Sequence, residues 1–183
     1  MNTQNPNLIF VFDMDNTLIK TDKANKLAYS EAISSVLGFK YAINSNDRFT
    51  RNQLKNIFPT LTETQINEIV VRKERCFEKY LKETELNQNL FHIVKHLHYE
   101  GCHTILLTNC HSGRAISLCN YYNITKYFVQ RFFYEDCLGN KYALLKSLGY
   151  NLQNVVLYEN EEEASEEAIN SGINFDKIIQ IDF

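Results

Sequence analysis

Asp13 and Asp15 are the two residues of this sequence best placed to do chemistry. They stand in Asp13-Met14-Asp15-Asn16-Thr17, directly behind the apolar run Leu8–Phe12. Residues i and i+2 of an extended chain face the same way, so both carboxylates can meet one ligand. Two close carboxylates repel, and they become tolerable when a hard cation joins them or one holds a proton. A carboxylate nucleophile can take up a phosphoryl group as an acyl-phosphate, which splits one hard transfer into two easier ones. A second carboxyl group can then protonate the leaving oxygen and later activate water. The same five residues also read as a turn closing a strand, with Asp and Asn satisfying local backbone donors.

A second group follows the run His103–Thr108. Leu106-Leu107-Thr108-Asn109 precedes Ser112-Gly113, which opens a predicted helix. A hydroxyl and backbone N–H groups at a strand end and helix N-terminus make an anion site without net charge. Thr108 reads equally as an ordinary β-branched strand residue, and Ser112 as an ordinary N-cap.

The elements that must position these groups alternate. Predicted strands lie at Leu8–Phe12, His103–Thr108, Tyr127–Phe133, Asn154–Tyr158 and Lys177–Ile181. The first is apolar on both faces, as a central parallel strand covered on each side should be. Predicted helices fall at Asn89–Tyr99, Gly113–Tyr122, Lys141–Leu148 and Ala164–Asn170, with Gly149 and Gly172 where helix ends place glycine. Right-handed βαβ crossovers follow, and with them an α/β fold: a three-layer, parallel, five-stranded Rossmann-like sheet. Residues 20–86 break the alternation. They offer helical patterns at Asp22–Leu37 and Glu63–Lys82 with no convincing strand, so an all-helical insert is expected there. Thr60-Leu61-Thr62-Glu63 supplies the start of the second helix, after Pro59.

The order Asp-x-Asp-x-Thr, an apolar strand ending Thr108-Asn109, a lysine, and an acidic strand end resembles the haloacid dehalogenase superfamily. The likeness spans nearly the whole chain and is to the subgroup with a helical cap, which implies a core of residues 1–19 and 87–183 and a cap of residues 20–86. It implies a Mg²⁺-dependent phosphatase or phosphomutase working through an aspartyl-phosphate on a small phosphorylated substrate. Asp13 would be the nucleophile, Asp15 the general acid/base, and Thr108 and Asn109 phosphate ligands. The Asp13 carboxylate and the Asp15 carbonyl would hold the metal. Dehalogenation fits less well, because those relatives need no Mg²⁺ and do not generally keep the second Asp.

Lys141 and Lys146 compete for the family's lysine. Lys141 opens its helix, whereas Lys146 lies roughly 7 Å farther along the axis at about 1.5 Å per residue, so Lys141 is chosen. It also reads as a solvated helix-end lysine. The family usually ends its fourth strand in an acidic pair whose last Asp holds the metal. Here the strand ends Leu157-Tyr158-Glu159-Asn160, and Asn160 takes that place. An amide oxygen ligates without charge, so affinity should fall, and Glu159 or Glu163 could supply the lost carboxylate. Glu161, Glu162 and Glu163 otherwise read as acidic residues favouring a helix N-terminus. A member impaired in catalysis and kept as a binding or regulatory protein is the alternative this departure raises.

Composition sets the outer bounds. The 183 residues, 44% hydrophobic with 12 Phe and 11 Tyr, suffice for one domain or a domain with a smaller insert. A formal charge of −3 gives no basic field for nucleic acid, so no nucleic-acid partner is expected. The N-terminal apolar run is too short for a signal peptide or membrane span, so no membrane association is expected. Five cysteines with no CxxC pair read as free thiols in a reducing cytoplasm. Cys110 and His111 are adjacent and seldom align as a dyad, so Cys110 is read as packing or site lining. His92 and His96 lie one helical turn apart, but no third zinc ligand has matching spacing. Oligomeric state leaves no trace in the sequence.

Overall fold

The computed structural model describes residues 8–44, 48–137 and 139–183. Residues 1–7, ahead of the first apolar run, lie outside the described residues. In chain order the elements are β1 (Ile9–Phe12), β2 (Ile19–Lys20), α1 (Asp22–Leu37), α2 (Arg51–Ile57) and α3 (Glu63–Phe77). Then come β3 (Glu85–Leu86), α4 (Gln88–Tyr99), β4 (His103–Leu107), α5 (Ser112–Tyr121) and β5 (Gln130–Phe132). The chain ends through α6 (Tyr134–Cys137), α7 (Lys141–Ser147), β6 (Val155–Glu159), α8 (Glu162–Ser171) and β7 (Ile178–Gln180). It forms two compact units, one of residues 1–19 and 86–183 and one of Lys20–Glu85.

The larger unit is a five-stranded sheet in the order β5-β4-β1-β6-β7, flanked by helices. Every pairing is parallel, with Phe12 opposite Leu106 on one side and Tyr158 on the other. The expected α/β architecture is therefore present. Alternation along the strands divides the core into two faces. Val11, Ile105, Leu107, Val155 and Leu157 pack with Tyr142 and Leu145 of α7 and Ala168 of α8. Phe12 points the other way, stacked on Tyr158 at 4.5 Å, with α4 against β4. Burying one such Phe contributes about 1.5–3 kcal/mol, so β1 is anchored from both faces. Gly172 closes α8 in the left-handed region at φ 116, where an L side chain would be strained.

Four of the five strands of the sheet are shorter than the apolar runs that announce them, and β6 keeps its length but is shifted by one residue. The predicted Tyr127–Phe133 strand contracts to three residues because Thr125–Tyr127 forms a 3₁₀ turn. The predicted helix Glu63–Lys82 ends at Phe77 and continues as a 3₁₀ segment, Glu78–Glu83. Its start is as expected: the Thr62 side chain accepts from Gln65 N–H in a capping box.

The smaller unit is helical. Tyr29, Ala32 and Ile33 of α1 pack with Leu54 of α2 and with Ile66 and Ile69 of α3. Asn25 is buried and donates from Nδ2 to the Phe49 carbonyl at 2.9 Å, while Lys23 pairs with Glu83 at 2.7 Å. Among the described residues, no helix is long and apolar enough to cross a membrane.

Candidate active site

The site forms where β1, β4 and β6 end. β1 delivers Asp13, whose N–H donates to the Tyr158 carbonyl at 3.0 Å and so continues the ladder by one residue. The chain then turns on Met14, whose carbonyl accepts from the N–H groups of Leu18 and Ile19 at 3.0 and 2.9 Å. Asn16 takes the left-handed region at φ 60, a conformation Asn tolerates better than most L-residues. The turn reading of this pentapeptide is therefore observed, and the turn buries Asp13 and Asp15, each 7% exposed.

Lys141 is buried, not solvated. Its Nζ donates to Asp13 Oδ1 at 2.8 Å and to Glu159 Oε2 at 2.7 Å. Asn140 caps α7 from its side chain, accepting from the N–H groups of Tyr142 and Ala143, and thereby places Lys141 in the first turn. Lys146 is exposed one turn and more away. One ammonium facing two buried carboxylates cannot compensate both. Burial, aided by the Glu159 charge, therefore pushes Asp13 up to about 7 in spite of Lys141. For Lys141, burial favours the neutral amine, but the charges of Asp13 and Glu159 outweigh it and hold the lysine above its ordinary value.

Glu159 is fully engaged within the protein. Its Oε2 accepts from Lys141 and from the Tyr142 hydroxyl at 3.0 Å, and its Oε1 accepts from the N–H groups of Asn160 and Glu161 at 2.9 and 3.2 Å. Those four donors match the acceptor capacity of a carboxylate. Beside it, the Asn160 amide oxygen accepts from the Thr17 hydroxyl at 2.8 Å, and that hydroxyl also lies 3.2 Å from Asp13 Oδ2. Thr17 thus gathers oxygens from the ends of β1 and β6 around one point. Glu162 and Glu163 lie exposed in the first turn of α8.

Two residues that sequence reasoning did not single out, Tyr142 and Arg114, complete the arrangement, together with Thr17, which the sequence marked only as part of the motif. Arg114, in the first turn of α5, donates from Nη2 to Asp15 Oδ2 at 2.7 Å and from Nε to Cys110 Sγ at 2.8 Å. Cys110 is buried and lines the site, as expected. Thr108 is buried and its Oγ1 accepts from Cys110 N–H at 3.1 Å, whereas the exposed Asn109 side chain does not join the network among the described residues. Ser112 is not the N-cap of α5. His111 holds that position without capping the helix from its side chain, and the Ser112 N–H donates instead to the Glu135 carboxylate at 3.0 Å. Glu135 supplies from another element the negative charge this helix end favours.

Among the described residues, no group of three or more His, Cys, Asp and Glu side chains could hold a metal ion. At the end of β6 an amide stands at Asn160, and Glu159 is turned toward Lys141. His92 and His96 are exposed on α4.

The chain matches the haloacid dehalogenase-like hydrolase family over residues 10–178. No curated protein sequence matches it. Among solved structures, a putative phosphatase from Clostridium difficile aligns at 18% identity and a TM-score of 0.74, covering 95% of this chain and 85% of that one. CbbY from Rhodobacter sphaeroides, in complex with xylulose-(1,5)bisphosphate, aligns at 14% identity and a TM-score of 0.78, covering 96% and 86%. A putative β-phosphoglucomutase from Thermotoga maritima aligns at 16% identity and a TM-score of 0.65, covering 94% and 84%. At these identities the structural likeness establishes the fold alone. The family match spans most of the sequence, and the chain belongs to the haloacid dehalogenase-like hydrolases.

Proposed function

We propose that this protein is a Mg²⁺-dependent phosphohydrolase acting on a small phosphorylated metabolite through an aspartyl-phosphate. The observation that carries the reading is the pair of carboxylates at the end of β1, each bound by its own cation: Asp13 by Lys141 and Asp15 by Arg114. In the first step an Asp13 oxygen attacks phosphorus and the ester P–O bond breaks. Asp15, protonated, gives its proton to the leaving oxygen. In the second step Asp15 takes a proton from water, the water oxygen attacks phosphorus, and the acyl-phosphate bond breaks to restore Asp13 and release phosphate. Lys141 balances the Asp13 charge, and the Thr108 hydroxyl would bind a phosphoryl oxygen.

The donor set suits a hard cation. Asp13 Oδ2 and Asn160 Oδ1 converge on the Thr17 hydroxyl, and these two candidate ligands and the Asp15 carbonyl are all oxygens. Bound Mg²⁺ would neutralise charge on the transferring phosphoryl group. Lys20–Glu85 would serve as the cap that selects the substrate, and neighbours such as CbbY with its bound sugar bisphosphate support a small phosphorylated ligand. Asn160 favours a second reading, a binding protein with impaired catalysis. Assay of the purified protein with Mg²⁺ over a broad panel of phosphate monoesters separates the two. Turnover lost in Asp13→Asn supports the enzyme; no turnover anywhere, or an Asp13→Asn variant as active as wild type, rejects it.

A further inference from the structure

The charges around Asp13 have a consequence for how this site would fill. Three carboxylates, Asp13, Asp15 and Glu159, are bound by two cations, Lys141 and Arg114, at 2.7–2.8 Å. Glu159 cannot turn to a cation without giving up bonds to Lys141, Tyr142 and two backbone N–H groups. The oxygen that β6 does present is the neutral amide of Asn160, already accepting from Thr17. Mg²⁺ gives up water reluctantly and is generally bound by one or two carboxylates together with substrate phosphates. With Asp13 as the single carboxylate ligand, and that one shared with Lys141, the protein offers a divalent cation little charge. A phosphate dianion arriving alone fares no better, because both cations near it are engaged by carboxylates.

We infer that Asn160 makes metal and phosphate binding mutually dependent, so that each enters this site at useful affinity only with the other. The inference rests on the phosphohydrolase reading given above. A phosphoryl group contributes the charge that an aspartate at position 160 would otherwise supply, and the cation offsets the carboxylates that would repel the phosphoryl group. By linkage, the factor by which phosphate tightens the metal equals the factor by which the metal tightens phosphate. The substrate-free protein would then remain metal-free at millimolar Mg²⁺, and occupancy would follow the substrate.

Calorimetric titration of the intact protein tests this with MgCl₂ and inorganic phosphate as probes. Wild type is expected to bind Mg²⁺ alone with a dissociation constant above about 1 mM. Saturating phosphate should tighten Mg²⁺ at least about tenfold, and saturating Mg²⁺ should tighten phosphate by the same factor. Asn160→Asp should bind Mg²⁺ without phosphate at least about tenfold more tightly than wild type, with the coupling correspondingly reduced. Wild type binding Mg²⁺ alone as tightly as Asn160→Asp, or showing no coupling to phosphate, overturns the inference. If Asn160→Asp binds Mg²⁺ while wild type shows no coupling, the phosphohydrolase reading survives and only the inference fails. If neither protein binds Mg²⁺ under any of these conditions, both fall. The wild-type coupling requires no variant, so a folding defect in Asn160→Asp leaves the test intact.

Discussion

The Arg114 guanidinium lies 2.7 Å from Asp15 Oδ2, and its Nε is held by the Cys110 sulfur at 2.8 Å. A long side chain held at two points transmits the position of α5 to a carboxylate on the β1 loop. We predict that Arg114 positions Asp15 for proton transfer. Arg114→Ala should lower kcat by about a hundredfold with little change in KM, the size of effect a misplaced catalytic group produces. Arg114→Lys should recover part of the loss, and added guanidinium should partly rescue the alanine variant. Steady-state kinetics decide the matter. A rise in KM at unchanged kcat would assign Arg114 to substrate binding instead.

Lys141 links Asp13 to Glu159 in a site that is almost fully enclosed, with its side chain 3% exposed. Removing one member of a buried charge cluster leaves the others uncompensated, at a cost of about 3–5 kcal/mol. Lys141→Met should therefore destabilise the protein by about that much in urea unfolding and abolish activity. Adding Glu159→Gln to Lys141→Met removes one orphaned charge and should restore part of the stability. Equal stability of the single and double variants would show that Glu159 and Lys141 are not coupled.

The contrast between these two cations shows what was legible in the sequence. β1 and the carboxylate pair behind it are local patterns that periodicity and spacing find, and the family resemblance called for the lysine that a helix start then located. Arg114 is different. Its reach to Asp15 depends on how the short loop from Thr108 to His111 aims α5, and no spacing rule encodes that. Glu159 was legible as an acidic residue at a strand end, but its direction is set by Lys141 and Tyr142 on α7. Ser112 carries a cap-forming side chain, yet Glu135, 23 residues later, binds its N–H instead. α2 is only seven residues long with Leu54 its one buried residue, too short for a periodic signal. Local chemistry was readable; long-range hydrogen bonding was not.

The raised Asp13 pKa, about 7 against an ordinary 3.8, predicts how the metal-free protein responds to pH. Because the folded-state value lies above the unfolded one, the native state binds this proton more tightly. The associated stability is fully present below about pH 4 and is lost as pH rises through about 7. Asp13→Asn, which cannot ionise, should escape that loss. In EDTA its stability relative to wild type should improve between pH 5 and pH 8 by a few kcal/mol, at about 1.4 kcal/mol for each tenfold difference in proton affinity. Urea unfolding at the two pH values measures this. A constant difference between the proteins would mean that the Asp13 pKa is not raised.

Tyr142 is fully buried, and its hydroxyl donates to Glu159 Oε2 at 3.0 Å. Burial, reinforced by the charges of Glu159 and Asp13, raises the phenol pKa despite Lys141, so the hydroxyl remains a donor. Phenylalanine would preserve the ring in the core and remove only the bond. A hydrogen bond to a charged group contributes about 1.5–3 kcal/mol, and Tyr142→Phe should lose about that much in chemical denaturation. Glu159 would retain Lys141 and its two backbone donors, so Lys141 should remain on Asp13 and kcat should fall by less than about tenfold, under about 1.4 kcal/mol in the barrier. A loss of kcat as large as that of Arg114→Ala, with stability unchanged, would contradict this. It would place the Tyr142 hydroxyl in the chemistry and not in the support of Glu159.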